Sequence, residues 1–166
     1  MVLEQIRPIE TSPLRLAELP DPEPGPGEIR IAVRACAICR TDLHVIEGDL
    51  PSAGLPRICG HQIVGVLDAL GPGCRRFNVG ERVGVAWLRW ACGRCEFCQS
   101  GRENLCDQTR FTGYHADGGF AEYAVVDAEF AYASPRPFDE VEAAPLLCAG
   151  INGYRALERS RLPHGC

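Results

Sequence analysis

Four closely spaced cysteines restrict how this chain can fold more than any other feature of its sequence. Cys92, Cys95 and Cys98 follow one another with two residues between them, and Cys106 comes after seven intervening residues. Four thiolates at such spacing can converge on one metal ion at about 2.3 Å each, which is typical of a structural zinc site. Because protein fills every position around the ion, the site closes a loop and performs no chemistry. The spacing therefore predicts a metal-bound lobe over residues 90–110.

The spacing does not name the metal, and three alternatives stay open. An iron–sulfur centre also takes four cysteine thiolates, and the cluster could arise by chance. A zinc ribbon that binds nucleic acid would share the cysteines, but it would need a basic face. The chain has a formal net charge of −5. We therefore expect no nucleic-acid partner.

The chain has ten cysteines, and the compartment decides how they should be interpreted. Its first residues, MVLEQIRPIE, include acidic side chains and lack the apolar stretch of a secretory signal. Thiols stay reduced in such a protein, so clustered cysteines indicate metal binding before disulfides. The cysteines outside the patterns are interpreted as small buried apolar side chains: Cys36, Cys59, Cys74 and Cys166.

Apolar runs such as Ala143–Ile151 are much shorter than the roughly 20 residues of a membrane-spanning helix. With no secretory signal and no such helix, we expect a cytoplasmic protein that has no membrane partner.

Alternating apolar residues and glycine-rich turns predict a mainly β fold. Glu28–Cys36 alternates, with Ile29, Ile31, Val33 and Ala35 on one face. Further strands are predicted over His61–Leu70, Arg82–Trp87 and Gly119–Val126. Several short strands with frequent turns are typical of a compact barrel or sandwich. Near the end of the chain, Asp139–Leu147 and Gly153–Ser160 have helical patterns, and Pro163–Cys166 is predicted to be a loop.

Three residues far apart in the sequence form a second candidate metal set. They are Cys39, His61 and Cys148. Two cysteines and one histidine suit a catalytic zinc, because three protein ligands leave a fourth position for water or substrate. Spacing this wide is weak evidence. Taken separately, His61 is better explained as a hydrogen-bonded histidine in the barrel and Cys148 as a buried helix cysteine.

Several motifs together resemble one family. The segment Cys36–Pro51 (CAICRTDLHVIEGDLP), the Gly60–His61 pair, the cysteine cluster and Pro145–Gly150 (PLLCAG) are similar to the zinc-dependent medium-chain alcohol dehydrogenases. The likeness is to the N-terminal GroES-like catalytic domain of the bacterial and yeast type, roughly from Leu14 to Leu157. It implies a GroES-like barrel with short flanking helices and a zinc-bound loop lobe.

The resemblance implies two zinc ions per chain. Cys39, His61 and Cys148 would hold the catalytic zinc, and Cys92, Cys95, Cys98 and Cys106 the structural one. Asp42 resembles the carboxylate that orients His61. The plain alternative for Asp42 is a hydrogen bond to backbone in a turn.

Further roles follow from the same resemblance. Thr41 matches the residue that accepts the substrate hydroxyl's hydrogen bond, and His44 matches the outer end of a proton relay. Arg40 matches a contact to the cofactor pyrophosphate. Trp87 and Leu50 match the wall of the substrate pocket, where a bulky Trp favours small primary alcohols. Each residue also has a plain alternative: a turn cap for Thr41, a surface position for His44, a solvated charge for Arg40 and ordinary core for Trp87.

The implied activity is the oxidation of alcohols to aldehydes or ketones with NAD(P). The substrate would be a small alcohol or aldehyde, and the family is usually homo-oligomeric. Sorbitol and threonine dehydrogenases share the catalytic zinc, so the particular alcohol stays open. A zinc-free quinone reductase is disfavoured because that branch lacks the ligands found here. The alternative from another class is a stand-alone zinc-binding GroES-like module without redox activity.

The family's second domain has no counterpart in the sequence. A doubly wound (Rossmann) cofactor domain needs a glycine-rich turn of the form G-x-G-x-x-G, and this pattern does not occur. We expect residues 1–150 to form the catalytic domain and residues 151–166 to begin a helical connection to a missing cofactor domain. The chain would then be truncated and inactive alone.

Overall fold

The structure is a computed structural model that describes residues 1–51 and 54–161. The loop predicted at Pro163–Cys166, with Cys166 itself, lies outside the described residues. No helix in the described ranges combines the length and the apolar character that crossing a membrane requires.

The described residues form short strands joined by turns, together with a few short helices. The strands are β1 (Val2–Leu3), β2 (Leu14–Arg15), β3 (Glu28–Ala37), β4 (Gln62–Leu70), β5 (Arg82–Val85), β6 (Leu88–Trp90), β7 (Arg110–Phe111), β8 (Tyr123–Asp127) and β9 (Ala131–Ala133). The α-helices are α1 (Arg40–Glu47), α2 (Glu96–Gln99), α3 (Glu140–Ala143) and α4 (Ala149–Ser160). Single 3-10 turns lie at Ile9–Thr11, Glu103–Leu105, Ala128–Phe130 and Ala144–Leu147.

A five-stranded antiparallel sheet with the order β8-β3-β4-β5-β9 is the centre of the fold. It curls into a half barrel, which confirms the mainly β prediction. The longest pairing joins β3 to β4 and ends at the pair Ala37 and Gln62. At this edge of the sheet the chain leaves β3 toward α1, and later it enters β4 directly after His61. This edge positions the candidate site.

The alternation predicted for β3 holds only for its first half. Ile29 and Ile31 are fully buried in the main core, and Val33 packs against it. Bulges interrupt the β3–β4 register between Arg30 and Ile31 and between Val33 and Ala35. Since a bulge inserts an extra residue, the alternation shifts, and Ala35 packs in a different cluster from the one predicted.

Several strand boundaries differ from the prediction, and three of the differences bear on the site. β4 begins at Gln62, one residue after His61, and β5 ends at Val85 instead of Trp87. β8 begins at Tyr123, not Gly119. Gly119 lies in a loop that packs on the turn before His61, where its backbone N–H donates to the Gly60 carbonyl at 2.9 Å. The glycines therefore form close loop contacts in place of a strand.

The helical segment predicted over Asp139–Leu147 is divided in two. α3 covers Glu140–Ala143, and a 3-10 turn continues through Leu147. Pro145 has no backbone N–H to donate, so a regular α-helix does not pass through it. The last helix begins at Ala149, earlier than the predicted Gly153.

Among the cysteines predicted to be buried, Cys59 is confirmed, whereas Cys36 and Cys74 are half-buried at the edge of the core. Cys59 is fully buried, and Cys36 and Cys74 pack against the main core. Burial raises the pKa of Cys36 and of Cys59 to about 12, so both thiols stay protonated and unreactive at neutral pH.

Candidate active site

The edge where β3 and β4 stop pairing brings Cys39 next to His61. Ala37 pairs with Gln62, so Cys39 and His61 emerge from the same end of neighbouring strands. The buried Gln62 amide strengthens this edge by donating to the Ala37 carbonyl at 3.2 Å. Cys39 Sγ lies 3.4 Å from His61 Nε2. The register thereby joins two residues that are far apart in sequence.

Cys148 reaches the same place from the end of the chain. Ala143 and Ala144 pack on Val64 of β4, and Leu147 covers Gly84 of β5. A Cβ on Gly84 would lie 3.0 Å from Leu147, so the glycine gives that side chain room. Cys148 follows directly. Its Sγ, the Cys39 Sγ and a His61 ring nitrogen lie within 4.8 Å of one another.

Asp42 fixes the orientation of His61. It is 2% exposed, and its Oδ1 lies 3.2 Å from His61 Nδ1. A carboxylate only accepts, so His61 donates from Nδ1 and its Nε2 faces Cys39. Asp42 also accepts from the backbone N–H groups of Gly60 (3.2 Å) and Cys39 (2.9 Å). This single carboxylate holds both strand ends and presents the imidazole for metal binding.

The Cys39, His61 and Cys148 set fits zinc. Zinc bond lengths place tetrahedral sulfur and nitrogen ligands about 3.6 Å apart, close to the 3.4 Å between Cys39 and His61. Burial, and then the nearby Cys39 sulfur, raises the pKa of Cys148 to about 11. A cation among the three donors would offset that charge and favour the thiolate. His61 is buried while Cys39 and Cys148 are half-buried, so the donors face a partly open side.

Asn152 and Thr41 contact the two candidate thiolates. The Asn152 side-chain amide lies 3.9 Å from Cys148 Sγ, one turn along α4. The Thr41 backbone N–H donates to Cys39 Sγ at 3.3 Å as part of the N-terminal cap of α1. Hydrogen bonds to a sulfur stabilise its charged form. Both residues therefore support thiolates at these positions.

The four cysteines of the lobe also come together. The ligand atoms of Cys92, Cys95, Cys98 and Cys106 all lie within 4.8 Å of one another. Two of the sulfur–sulfur separations are 3.5 Å and 3.9 Å, near the edge of about 3.8 Å of a tetrahedral zinc–thiolate site. Backbone N–H groups of Arg94 and then Cys95 lower the pKa of Cys92 to about 6. The donor set fits a structural zinc.

Thr41 and His44 lie on one face of α1. They are three residues apart, a spacing that puts side chains about 5–6 Å from each other on a helix. Asp42, Val45 and Ile46 form the buried face of the same helix. The His44 side chain is 37% exposed. Arg40, the first residue of the helix and the neighbour of Cys39 in the chain, is exposed.

Trp87 lies beside the donor set as part of an aromatic stack. Its ring meets the edge of His61 at a centroid distance of 5.0 Å, and it stacks on Phe111 at 4.7 Å and on Tyr114 at 5.9 Å. Leu50 packs in the same half-buried cluster. Trp87 therefore touches a candidate ligand directly, and Leu50 lies further along the same apolar wall.

Sequence reasoning missed three residues of this region. Phe111 and Tyr114 form the back of the aromatic stack, and nothing in their own segment pointed to Trp87. Asp49 accepts a hydrogen bond from His44 at 2.7 Å. Asp49 lies inside the quoted Cys36–Pro51 motif, so pairing each histidine with a nearby carboxylate would have found it.

Comparisons with known proteins identify the family of the chain. The chain matches the alcohol dehydrogenase GroES-like domain family over residues 25–136. It is 49% identical over 163 residues to "Probable alcohol dehydrogenase AdhA" of Mycobacterium tuberculosis (strain CDC 1551 / Oshkosh), which covers 95% of this chain and 47% of the relative. It is 42% identical over 158 residues to an alcohol dehydrogenase of Geobacillus stearothermophilus, which covers 95% and 46%.

A solved structure shows the same fold. The cobalt- and zinc-bound thermostable alcohol dehydrogenase of Pyrobaculum aerophilum matches with a TM-score of 0.84 and 33% identity, over 91% of this chain and 46% of that one. The chain belongs to the zinc-dependent alcohol dehydrogenase family and is formed by its GroES-like domain, as the motifs indicated. It spans about half the length of the curated relatives it matches.

Proposed function

We propose that this chain is the zinc-binding catalytic half of an alcohol dehydrogenase. The observation that carries the proposal is the convergence of Cys39, His61 and Cys148 with their donor atoms within 4.8 Å. Two sulfurs and one nitrogen leave a tetrahedral ion one position for a substrate oxygen. The reaction is the oxidation of an alcohol to an aldehyde or ketone.

Two bound groups would supply the chemistry that the side chains lack. When bound, zinc acts as a Lewis acid that lowers the pKa of an alcohol hydroxyl, and NAD(P) provides the hydride acceptor. Cys39, His61 and Cys148 hold the catalytic zinc, and the lobe cysteines hold a second zinc that has a structural role. Asp42 keeps His61 oriented, and Arg40 offers an exposed cation for the cofactor pyrophosphate.

The protein's own residues move the proton and shape the pocket. Thr41 accepts the hydrogen bond of the alcohol hydroxyl, and His44, on the same face of α1, takes up the proton. Trp87 stands against His61 at 5.0 Å, and with Leu50 it narrows the space for the substrate. Small primary alcohols suit such a pocket.

Residues 1–150 form the catalytic domain in this proposal, and residues 151–166 lead toward a cofactor-binding domain. Binding of NAD(P) then depends on that second domain. We propose that the whole enzyme, like most members of the family, is a homo-oligomer.

A chimera tests the proposal. This chain replaces the matched 46% of the Geobacillus stearothermophilus alcohol dehydrogenase, which supplies the remaining half. We expect two zinc ions per chain by metal analysis and alcohol-dependent reduction of NAD(P). Cys39→Ser should remove one zinc and reduce activity to background, because the catalytic ion loses a ligand.

Cys74→Ser is the matched control, since Cys74 is half-buried and belongs to neither cluster. It should keep both zinc ions and full activity. A folded chimera that holds both zinc ions but oxidises no alcohol, while the intact relative does, would favour the stand-alone zinc-binding module.

A further inference from the structure

Asp49 forms a close pair with His44 at the end of α1. His44 Nδ1 lies 2.7 Å from Asp49 Oδ2. The two side chains are 37% and 57% exposed, so the pair lies at the surface and is not part of the buried core. No role follows for Asp49 from the metal sites or from the fold.

The backbone turn after α1 places the Asp49 carboxylate close to the His44 ring. Residues five apart do not share a face on a continuous helix. Here α1 stops at Glu47, and Gly48 adopts a left-handed conformation with φ of 83°. The N–H groups of Gly48 and Asp49 both donate to the His44 carbonyl, at 3.1 Å and 3.0 Å. The turn therefore folds Asp49 back over the last turn of the helix.

Gly48 is the residue that this turn requires. Its φ disfavours any side chain, and a Cβ would also lie 2.6 Å from Ile6 Cγ2. The turn that carries Asp49 is therefore restricted by Ile6 as well as by the local backbone.

The pair determines which ring nitrogen of His44 is available. A carboxylate only accepts hydrogen bonds, so Nδ1 carries the hydrogen and Nε2 is left as the basic nitrogen. Asp42 imposes the same arrangement on His61 through Nδ1. α1 thus contributes to two histidine–carboxylate pairs, and in both the Nε2 atom is the one left to act.

We propose that Asp49 is a positioning residue for proton transfer, which holds His44 in the Nδ1–H form so that Nε2 accepts the proton leaving the alcohol. The inference rests on the proposed function. The alcohol O–H bond breaks, the N–H bond forms at Nε2, and the imidazolium gives this proton to water. Asp49 keeps its negative charge throughout and stabilises the imidazolium at 2.7 Å.

Nitrogen NMR of the zinc-loaded 166-residue chain tests the positioning. Long-range proton–nitrogen correlations report the tautomer of each neutral histidine, and His44→Gln assigns the His44 signals. We expect the Nδ1–H form in the wild type. Asp49→Ala should shift His44 mainly to the Nε2–H form, and Asp49→Asn should fall between, because its amide oxygen still accepts but carries no charge.

Glu10→Ala is the matched control, since it removes one exposed carboxylate from the 3-10 turn that packs near α1. It should leave the His44 tautomer unchanged. The His61 signals report folding in every variant, because the buried Asp42 contact is independent of Asp49. An Nε2–H form of His44 in the wild type, or no change in a folded Asp49→Ala variant, would overturn the proposal.

Kinetics in the chimera test the proton transfer itself. Asp49→Ala should lower kcat about tenfold to about 100-fold with little change in KM, since it affects proton uptake and not binding. In a His44→Gln background the same substitution should have no further effect. Equal losses in both backgrounds would show a structural role and refute the inference. Failure of the proposed function is distinct, because the unmutated chimera would then oxidise no alcohol.

Discussion

The carboxylates of Asp42 and Asp49 have different surroundings near the candidate site. Asp49 is exposed and contacts one histidine, whereas Asp42 is 2% exposed and also joins the backbone of Cys39 and Gly60. Buried hydrogen bonds to a charged group are strong, and losing one leaves its partners unsatisfied. Asp42 therefore supports both the candidate ligand His61 and the start of α1.

The isosteric substitution Asp42→Asn should weaken zinc binding at the Cys39, His61 and Cys148 set. The Asn side chain keeps the shape but loses the charge that makes His61 a better ligand. We expect about 10-fold to about 100-fold lower affinity at this site, and no change at the lobe. Competition with a chromophoric chelator measures both affinities.

Asp139→Asn is the control for helix capping, because Asp139 forms the same kind of capping box at α3 and belongs to neither candidate set. It should leave both zinc affinities unchanged. If Asp42→Asn bound zinc as tightly as the wild type, Asp42 would be a helix cap and no more.

At the scale of the elements, the turn that leads into β4 leaves no room for a side chain at Gly60. Gly60 has φ of 93°, and a Cβ there would lie 2.6 Å from Phe120 and 2.8 Å from Cys36 Sγ. Gly118 approaches the Gly60 carbonyl so closely that a Cβ would lie 2.0 Å from it. The loop before β8 and the turn before His61 thus pack backbone against backbone. The candidate ligand His61 directly follows this contact in the chain.

Gly60→Ala should destabilise the chain by more than Gly27→Ala. Both glycines have positive φ, so each substitution costs about 1 kcal/mol of backbone strain. Gly27 has nothing within 4 Å of an added Cβ, whereas Gly60 must also displace Phe120 and Cys36. We expect the unfolding free energy to fall by about 1–3 kcal/mol more for Gly60→Ala, measured by urea titration with zinc present. Equal losses of unfolding free energy in the two variants would show that Phe120 and Cys36 move aside at no energetic cost.

In the whole molecule, the lobe and the sheet are held by different forces. The sheet has a continuous core of buried side chains from Ile29 to Ala131. The lobe buries little apolar surface, and Trp90 and Leu105 are among its exposed large side chains. We therefore expect the lobe to depend on its metal and the sheet on its core.

Cys98→Ser should unfold the lobe and leave the sheet intact. Three remaining thiolates bind zinc less tightly, and the loop has no core to replace the ion. Hydrogen exchange should show lost protection over residues 92–106, unchanged protection in β3 and β4, and one zinc fewer per chain. Cys74→Ser should change neither protection nor metal content. Lobe amides that stayed protected in a Cys98→Ser variant whose lobe holds no zinc would contradict this view.

Features that depend on neighbours in the chain could be predicted from the sequence. The cysteine spacing of the lobe, the alternation at the start of β3 and the site motif from Cys39 to His44 are all local. The lobe follows from the cysteine spacing and the strand from its period of two, which one sequence displays directly. The roles in the motif from Cys39 to His44 follow from its resemblance to the family. The mainly β fold followed from the same local signals.

Only the tertiary structure brings Cys39, His61 and Cys148 together. That meeting depends on the bulged register that ends at Ala37 and Gln62, and on the packing of Leu147 over Gly84. Register and packing are set by contacts between distant segments, and a single sequence carries no periodic signal for them. The sequence by itself determined the candidate donor residues and the lobe, while the tertiary structure decided that the three distant donors meet and that a carboxylate faces Nδ1 of His44 and of His61.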